Sequence, residues 1–247
     1  VSGKLTSNSL IKKVRSLKQK KYRRQYQSFV IEGVRSIQSA VEDNVRFESV
    51  FLSSDFEQDR IPELKKIPAN IIHNIPQSTM KKISSTSTSS GVLAVTQLPK
   101  YKEFSFDENA IYLDGISDPG NMGTILRTAS WFGVKQIILS KGCIDPFNAK
   151  VVSSAMGAHF QLNFLDSFSL FDLSGYKIIG TSSTGTPINE YVDRNDKWVL
   201  VMGSEAHGIS DSIDKTLTDK LAIPKSGKGE SLNVGVAMGI FLYYLVQ

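Results

Sequence analysis

The sequence predicts an α/β domain built on a mostly parallel sheet, with a smaller α+β domain ahead of it. Three observations predict this. Short apolar runs recur through the second half of the chain, helical patterns fall between them, and periodicity lapses around a proline near residue 100. Strands alternating with helices favour a parallel sheet covered on both faces, because each crossover must pass over one face of the sheet.

The elements follow in order. In the first region Phe29-Val30-Ile31, Ser49-Val50-Phe51-Leu52, Asn70-Ile71-Ile72 and Val92-Leu93-Ala94-Val95 read as short strands. Residues 33–42 and 78–83 have helical spacing. Residues 84–91 form a Ser/Thr-rich polar loop, expected to be mobile and to face substrate rather than to link domains. Residues 1–98 are therefore assigned to a first domain and 99–107, with Pro99-Lys100-Tyr101-Lys102-Glu103, to a linker. In the second domain, 108–247, strands are expected at 110–114, 136–139, 177–180, 198–202 and 221–223. Helices are expected at 122–132, 150–158 and 234–246. The last is apolar nearly all round, which suits burial either at a subunit interface or within its own subunit.

A chain of 247 residues can bury the core of one large domain or two ordinary ones. Hydrophobic content of 40% and charged content of 21% exclude a disordered or fibrous chain. The single cysteine, Cys143, excludes an internal disulfide and a cysteine-based zinc cluster, and reads as a half-buried loop thiol. His73, His159 and His207 show no ligand spacing, so no metal is expected. No apolar run follows the basic N-terminal residues, and the most apolar stretch, 240–246, is too short to span a bilayer. The expected setting is cytoplasmic, without membrane contact.

The net charge of +5 is unevenly placed. Residues 1–31 hold nine Lys and Arg and no Asp or Glu, which leaves 20 basic against 24 acidic residues elsewhere, a net of −4. Lys12, Lys13, Arg15, Lys18, Lys20, Lys21, Arg23 and Arg24 could neutralise several phosphates and release their counterions, which favours a polyanion as partner. The same run reads equally well as the solvated face of a helix. Tyr22 and Tyr26, interleaved with the charges, could stack on bases.

Chemistry is expected in the loops beyond the carboxyl ends of the parallel strands. After strand 110–114 comes Asp118-Pro119-Gly120-Asn121-Met122-Gly123, then a helix carrying Arg127, with Asn121 expected to cap it. After strand 198–202 comes Gly203-Ser204-Glu205-Ala206-His207-Gly208, with Ser204 expected as a cap and Glu205 able to pair with Arg127. After strand 221–223 comes Pro224-Lys225-Ser226-Gly227-Lys228-Gly229-Glu230-Ser231-Leu232-Asn233. This third loop is glycine-rich and basic but lacks P-loop spacing, and no Gly-x-Gly-x-x-Gly occurs, which disfavours an ordinary Rossmann nucleotide site.

In this order the three loops resemble the motifs of the SpoU (TrmH-like) ribose methyltransferases of the SPOUT superfamily. The first runs from Asp118 through Arg127-Thr128-Ala129 to Phe132-Gly133, the second is Gly203-x-Glu205-x-x-Gly208, and the third runs from Ile223-Pro224 through Ser231-Leu232-Asn233-Val234. The resemblance covers roughly residues 108–247. More loosely, Phe29-Val30-Ile31-Glu32-Gly33 and Gly91-Val92-Leu93-Ala94-Val95 resemble that family's ribosomal-protein-like RNA-binding domain.

The resemblance implies a C-terminal trefoil knot, a homodimer, and methyl transfer from S-adenosylmethionine to a ribose 2′-hydroxyl of ribosomal or transfer RNA, with the two-domain layout favouring ribosomal RNA. It implies that backbone groups of Gly203, Ile223 and Leu232 hold the cofactor, with Thr181 and Ser182 nearby. Arg127 matches the arginine for which the family's mechanism proposes a general-base role. A guanidinium is almost never deprotonated, so Arg127 is expected instead to bind a phosphate or stabilise the developing alkoxide. Asn121, Glu205, Ser231 and Asn233 are expected to orient the ribose or Arg127. Two other readings are a non-catalytic RNA-binding assembly protein that keeps the fold, and a relative that methylates a base. The intact polar set argues against the first, and the arginine in the first motif against the second.

Overall fold

The computed structural model describes residues 7–86, 88–100, 102–166, 168–192 and 197–247. Ser87 of the Ser/Thr loop, Tyr101 of the expected linker and Lys4 lie outside the described residues. The chain forms two compact units, Val1–Lys100 with Asp145–Phe160, and Tyr101–Ile144 with Gln161–Gln247.

The first unit opens with helices α1 (Asn8–Ser16) and α2 (Lys20–Tyr26), so the basic segment is helical. Ser7 caps α1 by accepting from Leu10 N–H at 3.2 Å. Leu10, Ile11, Val14 and Leu17 lie three or four residues apart and form an apolar stripe that packs on the core beneath. Strand β1 (Ser28–Glu32), helix α3 (Val34–Glu42) and strands β2 (Phe47–Ser53) and β3 (Ile72–Ile75) follow. Helix α4 (Gln77–Ile83) and strand β4 (Val92–Gln97) complete the sheet, in the order β1-β4-β2-β3. Strand β3 begins later than its apolar pattern suggests, because a 3₁₀ turn after Pro68 takes up Ala69–Ile71.

The segment Asp145–Phe160 packs with this unit, although it lies within the span that the sequence assigns to the second domain. Helix α6 (Ala149–Ala155; α5 is Pro119–Trp131) lies against β1, and Phe147 meets Phe29 edge-on at 4.9 Å. Gly157 closes the segment with φ +96°, and a Cβ there would lie 2.5 Å from Ser39 Oγ. Conformation and space both demand glycine.

The second unit is a six-stranded parallel sheet in the order β10-β8-β9-β5-β6-β7. Its elements are β5 (Ala110–Asp114), α5 (Pro119–Trp131), β6 (Gln136–Leu139), β7 (Asn163–Asp166), β8 (Lys177–Pro187), β9 (Trp198–Gly203), α7 (Asp211–Asp214), β10 (Asp219–Ala222) and α8 (Val234–Leu245). Strand β7 went unrecognised in the sequence because it is short and has polar ends at a sheet edge. Strand β8 runs well past its apolar core. It pairs with β9 only to Gly180, and residues 181–185 have no partner on β10 before Thr186 pairs with Leu221. Helix α8 runs along α5, where Gly235 is close enough to Thr124 that a Cβ would lie 2.7 Å from Thr124 Cγ2. One face of α8 is buried through Val234, Met238, Phe241, Leu242 and Leu245, while Val236, Tyr243 and Val246 are exposed.

Candidate active site

Strand order reverses between β5 and β9, and the loops that follow these two strands carry most of the polar residues singled out above. Asp118, not Asn121, caps α5: its Oδ1 accepts from Asn121 N–H at 2.8 Å, with Pro119 in the first turn. Capping by Asp118 frees the Asn121 side chain for other partners. Asn121 Nδ2 donates to Glu205 Oε1, and its Oδ1 accepts from Asn233 Nδ2 at 2.8 Å. Asn233 is itself the cap of α8, where its Oδ1 accepts from Gly235 N–H at 2.9 Å and Val236 N–H at 3.3 Å. One residue from each of the three loops thus enters a single hydrogen-bonded chain.

The second loop is a tight turn. Ser204 and Gly208 exchange backbone hydrogen bonds of 3.0 and 2.9 Å, and Ser204 Oγ accepts from His207 N–H at 3.2 Å. Ser204 therefore closes the turn and is not a helix cap; Ser210 precedes α7 instead. Gly203 lies so close to the backbone of Gly208 and Ile209 that a Cβ would collide with both. Buried Asp114 anchors the far side by accepting from Ser210 N–H at 2.8 Å. Glu205 and His207 are left exposed at the tip.

The expected Glu205–Arg127 pair is absent. Glu205 takes the Asn121 amide, and Arg127 is exposed on α5 with no ion pair among the described residues. Thr181 and Ser182 lie in the unpaired stretch of β8, where Thr181 Oγ1 donates to Val201 O at 3.2 Å and Ser182 Oγ accepts from Thr184 N–H at 3.1 Å. In the third loop Ser231 and Leu232 are exposed and Ile223 is half-buried. Lys225 Nζ donates to Gly229 O, and no backbone hydrogen bond engages residues 225–232 among the described residues. Sequence reasoning missed Asp114 and Asp118: one lay in an apolar strand run, and the other stood beside a second capping candidate. Burial pushes the Cys143 thiol up, so this half-buried cysteine, donating to Leu113 O at 3.2 Å, is a poor nucleophile.

In the first unit Lys12, Arg15, Lys18, Lys20, Lys21 and Arg24 are exposed. Lys13 is half-buried, donating to Glu48 Oε2 at 2.9 Å and lying over the Tyr26 ring. Arg23 departs from the expectation. It is buried, with Nη2 2.5 Å and Nε 3.2 Å from Asp145 Oδ2, while Nη1 donates to Leu17 O and Lys18 O at 2.8 and 3.0 Å. A guanidinium with these partners ties α1 and α2 to the 145–160 segment and is not available to phosphate. Among the described residues, no group of three or more His, Cys, Asp or Glu could hold a metal ion, and no helix is long and apolar enough to cross a membrane.

Comparison with known proteins places this geometry. Residues 8–94 match the MRM3-like substrate binding domain. The chain is 28% identical over 244 residues to the 23S rRNA (guanosine(2553)-2′-O)-methyltransferase RlmP of Bacillus subtilis, covering 96% of each chain. It superposes on a structure from Porphyromonas gingivalis, provisionally assigned as a TrmH-family RNA methyltransferase, with a TM-score of 0.84, 32% identity and 98% coverage of each chain. It also superposes on the AdoMet-bound rRNA methyltransferase of Sinorhizobium meliloti, with a TM-score of 0.82, 25% identity and coverage of 98% and 96%. The SpoU rRNA Methylase family matches residues 108–243, more than half the chain. The chain belongs to that family and is an S-adenosylmethionine-dependent RNA methyltransferase.

Proposed function

We propose that this chain transfers a methyl group to a ribose 2′-hydroxyl of ribosomal RNA. The observation that carries the reading is the Glu205–Asn121–Asn233 chain, which joins three loops at the start of the helix bearing exposed Arg127. The 2′-O activity stated for RlmP supports ribose as the target, and its 23S rRNA substrate supports ribosomal RNA.

The residues present fit a nucleoside-bearing donor. The backbone of 225–232 has unengaged N–H and C=O groups, exposed Leu232 offers an apolar contact, and Thr181 and Ser182 bring hydroxyls. Gly203, Ile223 and Leu232 would hold the donor through backbone groups. Once bound, it supplies a methyl group already activated by a sulfonium. The 2′-oxygen would take that methyl group as the S–CH3 bond breaks and the demethylated thioether leaves, with the hydroxyl proton passing to solvent water; Arg127 would stabilise the developing alkoxide or hold the adjacent phosphate, as a fixed positive charge rather than as a base. Asn121, Glu205 and Asn233 hold the loops in register, and Ser231 orients the ribose.

Lys12, Lys13, Arg15, Lys18, Lys20, Lys21 and Arg24 carry the RNA backbone. The exposed Val236 and Tyr243 on α8, with Val246 at its C-terminal cap, support a second copy of the chain there, as a homodimer. By its family we assign the C-terminus a trefoil knot, with α8 returning from edge strand β10 to pack on α5. We assign the protein to the cytoplasm, and the domains to 1–98 and 108–247 with a linker at 99–107.

The test is transfer from labelled S-adenosylmethionine to separate ribosomal and transfer RNA fractions, followed by alkaline hydrolysis. Label in an alkali-resistant dinucleotide of ribosomal RNA is expected. Label in alkali-sensitive mononucleotides, or in transfer RNA alone, overturns the reading.

A further inference from the structure

Glu32 ends β1, and its carboxylate anchors the Ser/Thr loop that follows α4. Its Oε1 accepts from Ser84 Oγ at 2.5 Å and from Thr86 Oγ1 at 3.0 Å, and its Oε2 accepts from Ser85 N–H at 3.0 Å. Ser84 Oγ accepts in turn from Thr86 N–H at 3.1 Å. From α1, Lys18 Nζ donates to Ser84 O at 2.6 Å. Three consecutive loop residues are therefore held by one carboxylate and one ammonium.

This arrangement turns the loop's polarity outward in a defined way. A hydroxyl has one proton, and that of Ser84 is directed at Glu32, so the half-buried carboxylate has its charge answered from within. Thr86 is exposed, and its proton has Glu32 and Thr88 O as acceptors, each at 3.0 Å, which leaves lone pairs for a donor outside. Around the loop stand exposed cations: Lys18, and Lys81 and Lys82 in the last turn of α4. Exposed Asp55 accepts from Gln77 at 3.0 Å, and hydrogen bonding, that of Ser53 first, lowers its carboxyl from the ordinary value, with Lys81 contributing.

Oriented hydroxyls framed by lysines match a ribose–phosphate backbone, whose 2′-hydroxyls donate and whose phosphates need cations. A loop of serines and threonines has no apolar anchor and would otherwise pay its ordering entropy on binding. We propose that Ser85, Thr86, Lys18 and Lys82 form a preorganised contact for the RNA sugar–phosphate backbone, with Glu32 as the positioning residue that sets the loop without touching RNA. This rests on the reading that the chain acts on ribosomal RNA.

The experiment uses the full chain, unmodified transcribed 23S ribosomal RNA and S-adenosylmethionine, with RNA binding titrated by filter retention alongside methyl transfer. Glu32→Ala is expected to speed amide exchange at Ser85 and Thr86 and to raise the KM for RNA about tenfold, with kcat and cofactor Kd unchanged. Lys18→Met should lower the slope of log affinity against log salt by about one, whereas Thr86→Val weakens binding without changing that slope. Thr86 is exposed, so its variant carries the test even where Glu32→Ala fails to fold. Faster exchange with unchanged RNA affinity, or an unchanged salt slope for Lys18→Met, overturns the proposal. A wild-type chain that transfers no methyl group fails the proposed function instead, and the binding titration still decides the loop.

Discussion

Asn233 donates from Nδ2 to Asn121 Oδ1 across 2.8 Å, joining residues 112 positions apart, and this one contact sets the direction of both amides. Asn233 Oδ1 is committed to the N–H groups of Gly235 and Val236, so only its Nδ2 can face Asn121. Asn121 must answer with its oxygen, which sends its own Nδ2 to the Glu205 carboxylate. The orientation is thus dictated by the free amides at the start of α8 and passed along side chains to the second loop.

Asn121→Asp is the sharpest probe of that chain. It replaces the donor facing Glu205 with a second carboxylate while keeping size, so kcat should fall by about a hundredfold or more. Asn121→Ala and Asn233→Ala should each cost less, and together less than the sum of the two, with a coupling of about 1 kcal/mol. Single-turnover methyl transfer measures all four proteins. Strict additivity would show that the two amides act independently.

Arg127 is exposed and has no ion pair among the described residues, so its function should depend on charge and fork geometry rather than on structure. Arg127→Ala should lower kcat by about 10²–10³ while calorimetry finds S-adenosylmethionine affinity within twofold of wild type. Arg127→Lys keeps the charge but not the planar fork, and should recover only part of the rate. A large loss of cofactor affinity in the alanine variant would place Arg127 in donor binding instead.

Arg23 and its basic neighbours should separate cleanly. Arg23→Ala strands a largely buried Asp145 and two carbonyls, and should destabilise the fold by about 3–5 kcal/mol in urea unfolding. Replacing exposed Lys12 and Arg15 should leave that midpoint within about 0.5 kcal/mol of wild type and flatten the salt dependence of RNA binding. The opposite pattern would return Arg23 to the RNA-facing set.

This contrast also marks what could be read from the residues alone. Strands 110–114 and 136–139 were legible to the residue because both faces are buried and the apolar run is continuous. The basic run was legible as charge but not as structure, since Arg23's partner stands 122 positions away and nothing local distinguishes a buried arginine from its solvated neighbours. The three loops were recognisable by their order. Their wiring was not, because Asp118 and Asn121 are equally good caps on paper and only packing decides between them. The stretch 181–185 carries no periodicity, so the point where β8 leaves its neighbours left no pattern to find.

His159 supplies a pH test of the 145–160 segment. Burial pushes its imidazole down to about 4, against which the Pro146 carbonyl at 2.7 Å and the Asp145 charge favour the protonated form only in part. The ring is therefore neutral in the fold, whereas in the unfolded chain it takes up a proton near pH 6.5. Between these values the unfolded state binds more protons, so stability rises with pH across that window. The contribution is complete above pH 6.5 and is lost as pH falls toward about 4, a change of about 3 kcal/mol at most. Urea unfolding between pH 4 and 7.5 should show this decline in the wild type. In His159→Gln, which keeps a donor for Pro146 O but cannot titrate, the decline should be shallower by that amount. Equal slopes in the two proteins would mean that the ring is already reached by water and protonates in the fold.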